Sequence, residues 1–250
     1  MSGQRTERAY QLQPQDEDAA AKGASLADQA HAAIRQRIIS CEMLPGSEFI
    51  EADLAGELQM SKTPVREALL RLQVEGLVQA IPRRGYQVTP IHISDIDDIF
   101  DFRLAIEGDC AALAAERAGP EAIDELDYLA DATNAEQHKL AGNDIDRISA
   151  QNRLNNVFHE SVALAAGNAR LHRTAVQVLR EFERFFFLEW NSPALYAPDH
   201  KDHYEIVRHI RAGDAAQARA TMVGHVDSSR QALLSVLTSQ SRSLGWLTRI

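Results

Sequence analysis

The sequence predicts a mostly α protein: an N-terminal winged helix-turn-helix followed by an all-helical antiparallel bundle. Three observations predict it. Up to Pro90 the residues read as helix, helix, turn, helix and hairpin, which is the order of a winged helix-turn-helix. Beyond Pro90, apolar residues recur at helical spacing, broken by polar, Gly or Pro positions and without strand alternation. Charge is also divided unevenly. The 250-residue chain has a formal net charge of −10, yet Ser61 to Arg84 holds Lys62, Arg66, Arg71, Arg83 and Arg84 against only Glu67 and Glu75.

In the order of the chain, residues 1–24 are polar and aperiodic, without the apolar core of a secretory signal, and are expected to be a disordered tail. Ser25 is placed to cap a first helix in "SLADQAHAAIRQRIIS", with Ala27, Ala30, Ile34 and Ile38 on one stripe. "LPGSEF" breaks the pattern at Pro45 and Gly46, and "IEADLAGEL" gives a short helix with Leu54 and Leu58 four residues apart. In "SKTPVREALLRL", Val65, Ala68, Leu69 and Leu72 form the stripe to be buried, and Lys62 and Arg66 fall opposite, with Thr63 beside them. Thr63 precedes proline, which disfavours helical geometry, so Thr63 as N-cap with Pro64 as first helical residue fits; Ser61 capping an earlier start also fits. Arg71 points away from Arg66, toward Glu67 at i−4. Gly76 ends this helix, and Leu77–Ile81 and Tyr86–Thr89 flank "PRRG" as a hairpin, with Arg83 and Arg84 at its tip.

A helix start offers free N–H groups and a positive dipole end, which suit a phosphate. Arg66 suits guanine O6/N7 or a phosphate. Gly85 would let the wing approach a backbone or minor groove closely. Alone, this helix would read as an ordinary surface helix; the neighbouring helix, the Arg-tipped hairpin and the charge contrast favour a major-groove reader.

Domain boundaries follow as 25–90 for the winged helix-turn-helix, 91–95 for a linker, 96–240 for an effector-binding and dimerisation domain, and 241–250 for a C-terminal tail. Helices are expected near 94–118, 120–141, 144–166, 169–190, 199–212 and 215–237, with Gly213 ending one and Asp214 capping the next. The apolar fraction of 45% is enough for a packed core. No apolar run nears the roughly 20 residues that span a bilayer. Cys41 and Cys110, the two cysteines, lack metal spacing, which predicts structural roles in a reducing cytoplasm.

In the helical region, Asn155 lies one turn before His159. His203 and His225 are each about ten residues from the Gly213-Asp214 turn, which places them level on an antiparallel helix pair. Three imidazoles and one oxygen can thus converge on one cation, although spaced histidines also arise by chance among nine. By spacing, Arg103 can pair with Glu107 at i+4 on a helix surface. The aromatic run Phe182, Phe185, Phe186, Phe187 and Trp190 reads as core or dimer interface.

The segment "LPGSEFIEADLAGELQMSKTPVREALLRLQVEGLVQAIPRRGYQV" resembles the DNA-binding domain of GntR-family transcription regulators. The resemblance implies operator contacts from Lys62, Thr63, Arg66 and Gly85; Ala52 stands where family members often carry an Arg. "FRLAIEGDCAALAAERA", "NRLNNVFHESVALAAGNARL" and "HYEIVRHIRAGDAAQARATMVGHV" resemble the FCD ligand-binding domain of the FadR subfamily. That resemblance implies a divalent metal, often zinc, on His159, His203 and His225, with Asn155 in place of the family's Asp. It also implies a carboxylate or sugar-acid effector held by Arg103, and matches Asn168, which equally suits a helix cap.

The expected function is therefore a homodimeric, ligand-responsive regulator of double-stranded operator DNA, a repressor rather than an enzyme. The competing reading is a metal-dependent hydrolase with an incidental N-terminal module. Against it, His159-Glu160 begins a His-Glu-x-x-His pattern that fails at Ala163. A dimeric scaffold without ligand response is a third reading.

Overall fold

The computed structural model describes residues 24–137, 145–190 and 201–240. The head comprises α1 (Leu26–Ile39), β1 (Glu48–Phe49), α2 (Glu51–Glu57), α3 (Lys62–Val74), β2 (Val78–Ile81) and β3 (Gly85–Val88). The bundle comprises α4 (Ile93–Arg117), α5 (Pro120–Gln137), α6 (Ile145–Ala165), α7 (Ala169–Trp190), α8 (Lys201–Ala212) and α9 (Ala215–Gln240).

Local chemistry sets the head's elements. Ser25 opens α1 with a capping box: its hydroxyl accepts from the Asp28 N–H, and the Asp28 carboxylate accepts from the Ser25 N–H at 3.1 Å. The helix stripes then close on one core in which Ile34, Val65, Ala68, Leu69 and Leu72 are fully buried. Each Leu or Ile so buried contributes about 1.5–3 kcal/mol.

α3 starts at Lys62, with Ser61 in the N-cap position. Pro64 is therefore its third residue rather than its first, and Thr63 is helical despite preceding proline. The first turn has no intrahelical use for its N–H groups, so proline is tolerated there. At the other end Gly76 (φ +74) closes the helix, and the Leu77 N–H donates to the Leu72 carbonyl at 2.9 Å.

The wing has a third strand that the sequence reading missed. The sheet order is β1-β3-β2, all antiparallel, with Phe49 opposite Tyr86 and Ile81 opposite Gly85. β1 is two residues long, too short to show alternation. It also changes the reason for Gly85. Its φ is +115, and a Cβ there would stand 2.4 Å from the Phe49 carbonyl oxygen, so the wing's own packing already requires glycine.

Of the stretch 91–95, Ile91 is fully buried in the bundle core and α4 begins at Ile93. α4 packs lengthwise on α9. Gly108 permits the close approach, because a Cβ there would meet Val223 Cγ2 at 2.8 Å. Gly213 (φ +70) ends α8, and Asp214 Oδ1 accepts from the Gln217 N–H at 3.1 Å to start α9. α6 is packed against α4, α5 and α7, and from Gln151 to Ala165 only Arg153 is exposed. Phe182 and Phe185 are core residues; the side chains of Phe186, Phe187 and Trp190 lie outside the described set, as do residues 138–144, where α5 and α6 were expected to end and begin. Among the described residues no helix is long and apolar enough to cross a membrane.

Candidate functional site

The head presents Lys62, Thr63 and Arg66 on the exposed start of α3, and Arg83 and Arg84 on the exposed wing tip. Arg66 is clamped by Glu51 of α2: Nε donates to Oε2 at 2.9 Å and Nη2 to Oε1 at 2.8 Å. This fork fixes the guanidinium plane while most of the side chain stays in solvent. Arg84 pairs with Glu48 at 3.0 Å. Arg71 pairs across to Asp28 of α1 at 2.6 Å, not with Glu67 as the sequence reading had it, because α1 crosses directly beside α3.

A second, buried cluster lies in the bundle. The Nε2 atoms of His159 (α6) and His203 (α8) each stand 3.3 Å from Nε2 of His225 (α9). Ligand atoms of all three rings fall within 4.8 Å of one another, and all three side chains are buried. Phe158 stacks on the His203 ring at 3.9 Å between centroids. On its other side His159 Nδ1 meets Oε2 of Glu107, and Glu107 Oε1 accepts from Arg103 Nε at 2.6 Å. Arg103 lies over the Phe182 ring, 4.1 Å from its centroid.

Electrostatics follow from this burial. Desolvation pushes the Glu107 carboxyl up, but the Arg103 charge and the hydrogen bonds from His159 and Arg103 outweigh it and hold it below the usual carboxylate range. Desolvation also pushes the His159 imidazole down, against the raising pull of Glu107. A neutral His159 facing an ionised Glu107 carries its proton on Nδ1, leaving the Nε2 lone pair turned toward the other two rings. Three imidazole nitrogens converging in this way fit a divalent cation of zinc-like softness. Nearby, burial raises the Cys110 thiol to about 12, so it supplies no thiolate ligand.

Arg103 does pair with Glu107 at i+4, but in the interior rather than on a helix surface: both side chains are at most 3% exposed. Asn155 is buried one turn before His159. Asn168 caps α7: its Oδ1 accepts from the Arg170 and Leu171 N–H groups at 3.0 and 3.3 Å. Glu160 contacts His172 at 2.9 Å, on a different face of α6 from the histidine cluster.

The sequence reading passed over two further features. Glu183 of α7 pairs with Arg35 of α1 and accepts from Asn156 Nδ2 at 3.3 Å. Arg35 Nε in turn lies 3.6 Å from Glu75, the C-cap residue of α3. In addition, Gln151, Asn152, Asn155 and Asn156 are all buried on α6. Among the described residues, both amide atoms of Gln151, Oδ1 of Asn152 and of Asn156, and Nη1 of Arg103 make no hydrogen bond. Each such buried polar group costs about 1–3 kcal/mol when unmet.

Residues 26–88 match the bacterial regulatory proteins of the gntR family, and residues 98–228 match the FCD domain. The chain belongs to the GntR family, in its FCD-bearing branch. It is 34% identical over 137 residues to an uncharacterised HTH-type transcriptional regulator of Agrobacterium vitis, covering 55% of this chain and 78% of that protein. It is 26% identical over 198 residues to the transcriptional repressor RspR of Escherichia coli, covering 77% and 83%. The fold is shared with E. coli McbR/YncC, at a TM-score of 0.67 and 23% identity, over 87% of this chain and 99% of that one. As a GntR regulator, this protein is a DNA-binding transcription regulator whose FCD domain holds a three-histidine cluster able to bind a metal.

Proposed function

We propose that this GntR protein is a homodimeric, ligand-responsive repressor whose bundle holds a divalent metal, zinc by its donor set, and a small carboxylate or sugar-acid effector. The convergence of three buried Nε2 atoms beside the Arg103–Glu107 pair carries the reading. His159, His203 and His225 hold the metal, and the Asn155 carbonyl oxygen is the fourth protein ligand. A bound zinc supplies a Lewis-acidic contact for an effector oxygen. Asn155 is neutral where the family's Asp is charged, which weakens the metal's hold but leaves an oxygen donor. Glu107 fixes the His159 tautomer, and Arg103, anchored through Nε, keeps Nη1 for the effector carboxylate. The repressor role is supported by likeness to a relative named a repressor.

In the head, Lys62, Thr63 and Arg66 meet the major groove, and Arg83, Arg84 and Gly85 form the wing that follows the backbone or minor groove. A two-fold dimer places two such helices about one DNA turn, ~34 Å, apart. The signal has a physical route. Asn156 neighbours Asn155, and Asn156, Glu183, Arg35 and Glu75 form a continuous polar chain from the site to the end of α3. An effector that shifts α6 changes Glu183's hold on Arg35, and with it the seating of the head on the bundle.

The test is fluorescence anisotropy with DNA from upstream of the protein's own gene. Salt-dependent binding that Arg66→Ala weakens is the expected result. No binding to any such fragment at low salt, or binding indifferent to Arg66→Ala, overturns it.

A further inference from the structure

A cavity of about 590 Å³ lies where the head meets the bundle. The end of α3 forms one wall with Val74 and Glu75, the first turns of α4 a second with Asp98 and Phe102, and α7 a third with Glu181 and Phe185. The histidine cluster lies elsewhere, inside the bundle, and Lys62, Thr63 and Arg66 sit at the other end of α3. Small-molecule sites occupy roughly 300–1,000 Å³ and favour domain junctions.

Two of the walls carry apolar side chains left in water: Val74 is 91% exposed and Phe102 46%. One exposed apolar residue needs no explanation, but two facing one cavity, beside the buried Phe185, make a surface suited to a ligand. The charged lining has one sign. All three walls supply carboxylates, and no Lys, Arg or His lines the cavity among the described residues. Asp95 at its edge has a helix-starting role, accepting from the His92 N–H at 3.0 Å. Asp98 lies beyond the free N–H groups of the first turn, which would otherwise account for it. The cations of this seam, His31, Arg35 and Arg180, act on Glu75. Asp98 and Glu181 are exposed, and Glu181 accepts an amide N–H from Gln177 at 3.2 Å.

We infer that this cavity is a second ligand site, separate from the metal centre, and that it takes an aryl-alkyl ammonium. The aromatic body covers Val74 and Phe102, and the ammonium sits between Asp98 and Glu181. An anion would meet carboxylates alone. A neutral aromatic would leave those carboxylates without a counter-charge, and a small polar cation would leave Phe102 wet. The Phe102 and Phe185 rings add attraction for a cation held over their faces. Because α3 supplies one wall and α4 and α7 the other two, the bound cation spans the seam between head and bundle.

The test is calorimetry on the full chain with 1-naphthylmethylamine, its uncharged analogue 1-naphthalenemethanol, and propylamine, which lacks the ring. The naphthyl amine should bind one per chain, about tenfold more tightly than either of the others. Removing both exposed charges, Asp98→Asn with Glu181→Gln, should weaken it about tenfold without lowering Tm, and Phe102→Ala should weaken it about fivefold. Asp124→Asn, an exposed carboxylate of α5 outside the cavity, and His225→Ala in the metal centre should each leave amine affinity within about twofold of wild type. No amine binding up to about 10 mM, as when a second copy of the chain covers this face, overturns the inference. So does equal affinity for amine and alcohol. Equal weakening by Asp124→Asn would reduce the binding to general attraction by an acidic chain, and loss in His225→Ala would move it to the metal centre; either result also overturns it.

Discussion

Arg66–Glu51 in the head and Arg103–Glu107 in the bundle join the same two side chains in opposite surroundings. The first is a forked pair on the surface with Arg66 62% exposed; the second is sealed, at 2% and 3%. Water screens the surface pair and makes it cheap to open, so Arg66 can exchange Glu51 for a phosphate or base edge. The sealed pair cannot open without leaving a bare charge in the interior. The comparison separates the two jobs of the molecule. The head keeps its core apolar and its chemistry outside, as a surface that meets a large polyanion must. The bundle turns its chemistry inward, where three histidines able to bind a metal are buried with an Arg–Glu pair.

The sharpest way to break this comparison is to remove both carboxylates in turn. Glu107→Leu strands Arg103 and frees His159 to turn, and should cost about 3–5 kcal/mol, read as a drop of roughly 10 °C in Tm. Glu51→Leu should move Tm by less than about 2 °C. Similar losses from both variants would erase the distinction. Next in size, His225→Ala should weaken zinc binding at least about 100-fold in a chelator competition, leaving operator binding of the ligand-free protein intact. Arg66→Ala should do the opposite, reducing operator affinity on the order of tenfold with no change in zinc binding.

A pH series sharpens the inner site further. Burial holds the His159 pKa down, so below the ordinary imidazole value near 6.5 the unfolded chain takes up a proton that the folded chain refuses. Stability from this group is therefore full above that pH and lost as pH falls. The metal-stripped protein should lose roughly 1 kcal/mol per pH unit below 6.5, and His159→Gln should flatten the slope. Smallest is the link between the regions. Arg35→Ala should leave both binding constants within about threefold but shrink the effect of one on the other.

The sequence made the head nearly transparent. Its stripes, its Gly76 stop and its wing follow from spacing and turn chemistry, which are local. β1 escaped because two residues carry no period, and Arg71 found Asp28 because helix crossing is not written in either helix alone. In the bundle, the histidines were legible because Gly213-Asp214 sets two of them level across a turn. Glu107 was visible only as an i+4 neighbour of Arg103; that it also holds His159 depends on how α4 packs on α6. The amides of α6 suggest a solvated face until three neighbouring helices enclose them. Long-range packing, rather than residue type, turned polar residues into a site.

In the proposed scheme the buried centre controls the exposed one. It is tested most directly by measuring anisotropy of the protein's own upstream DNA while titrating sugar acids into zinc-loaded and chelator-stripped protein. At least one acid should shift operator affinity about tenfold or more in the loaded protein and less than twofold in the stripped one. An equal shift in both forms, or none in either, would contradict it.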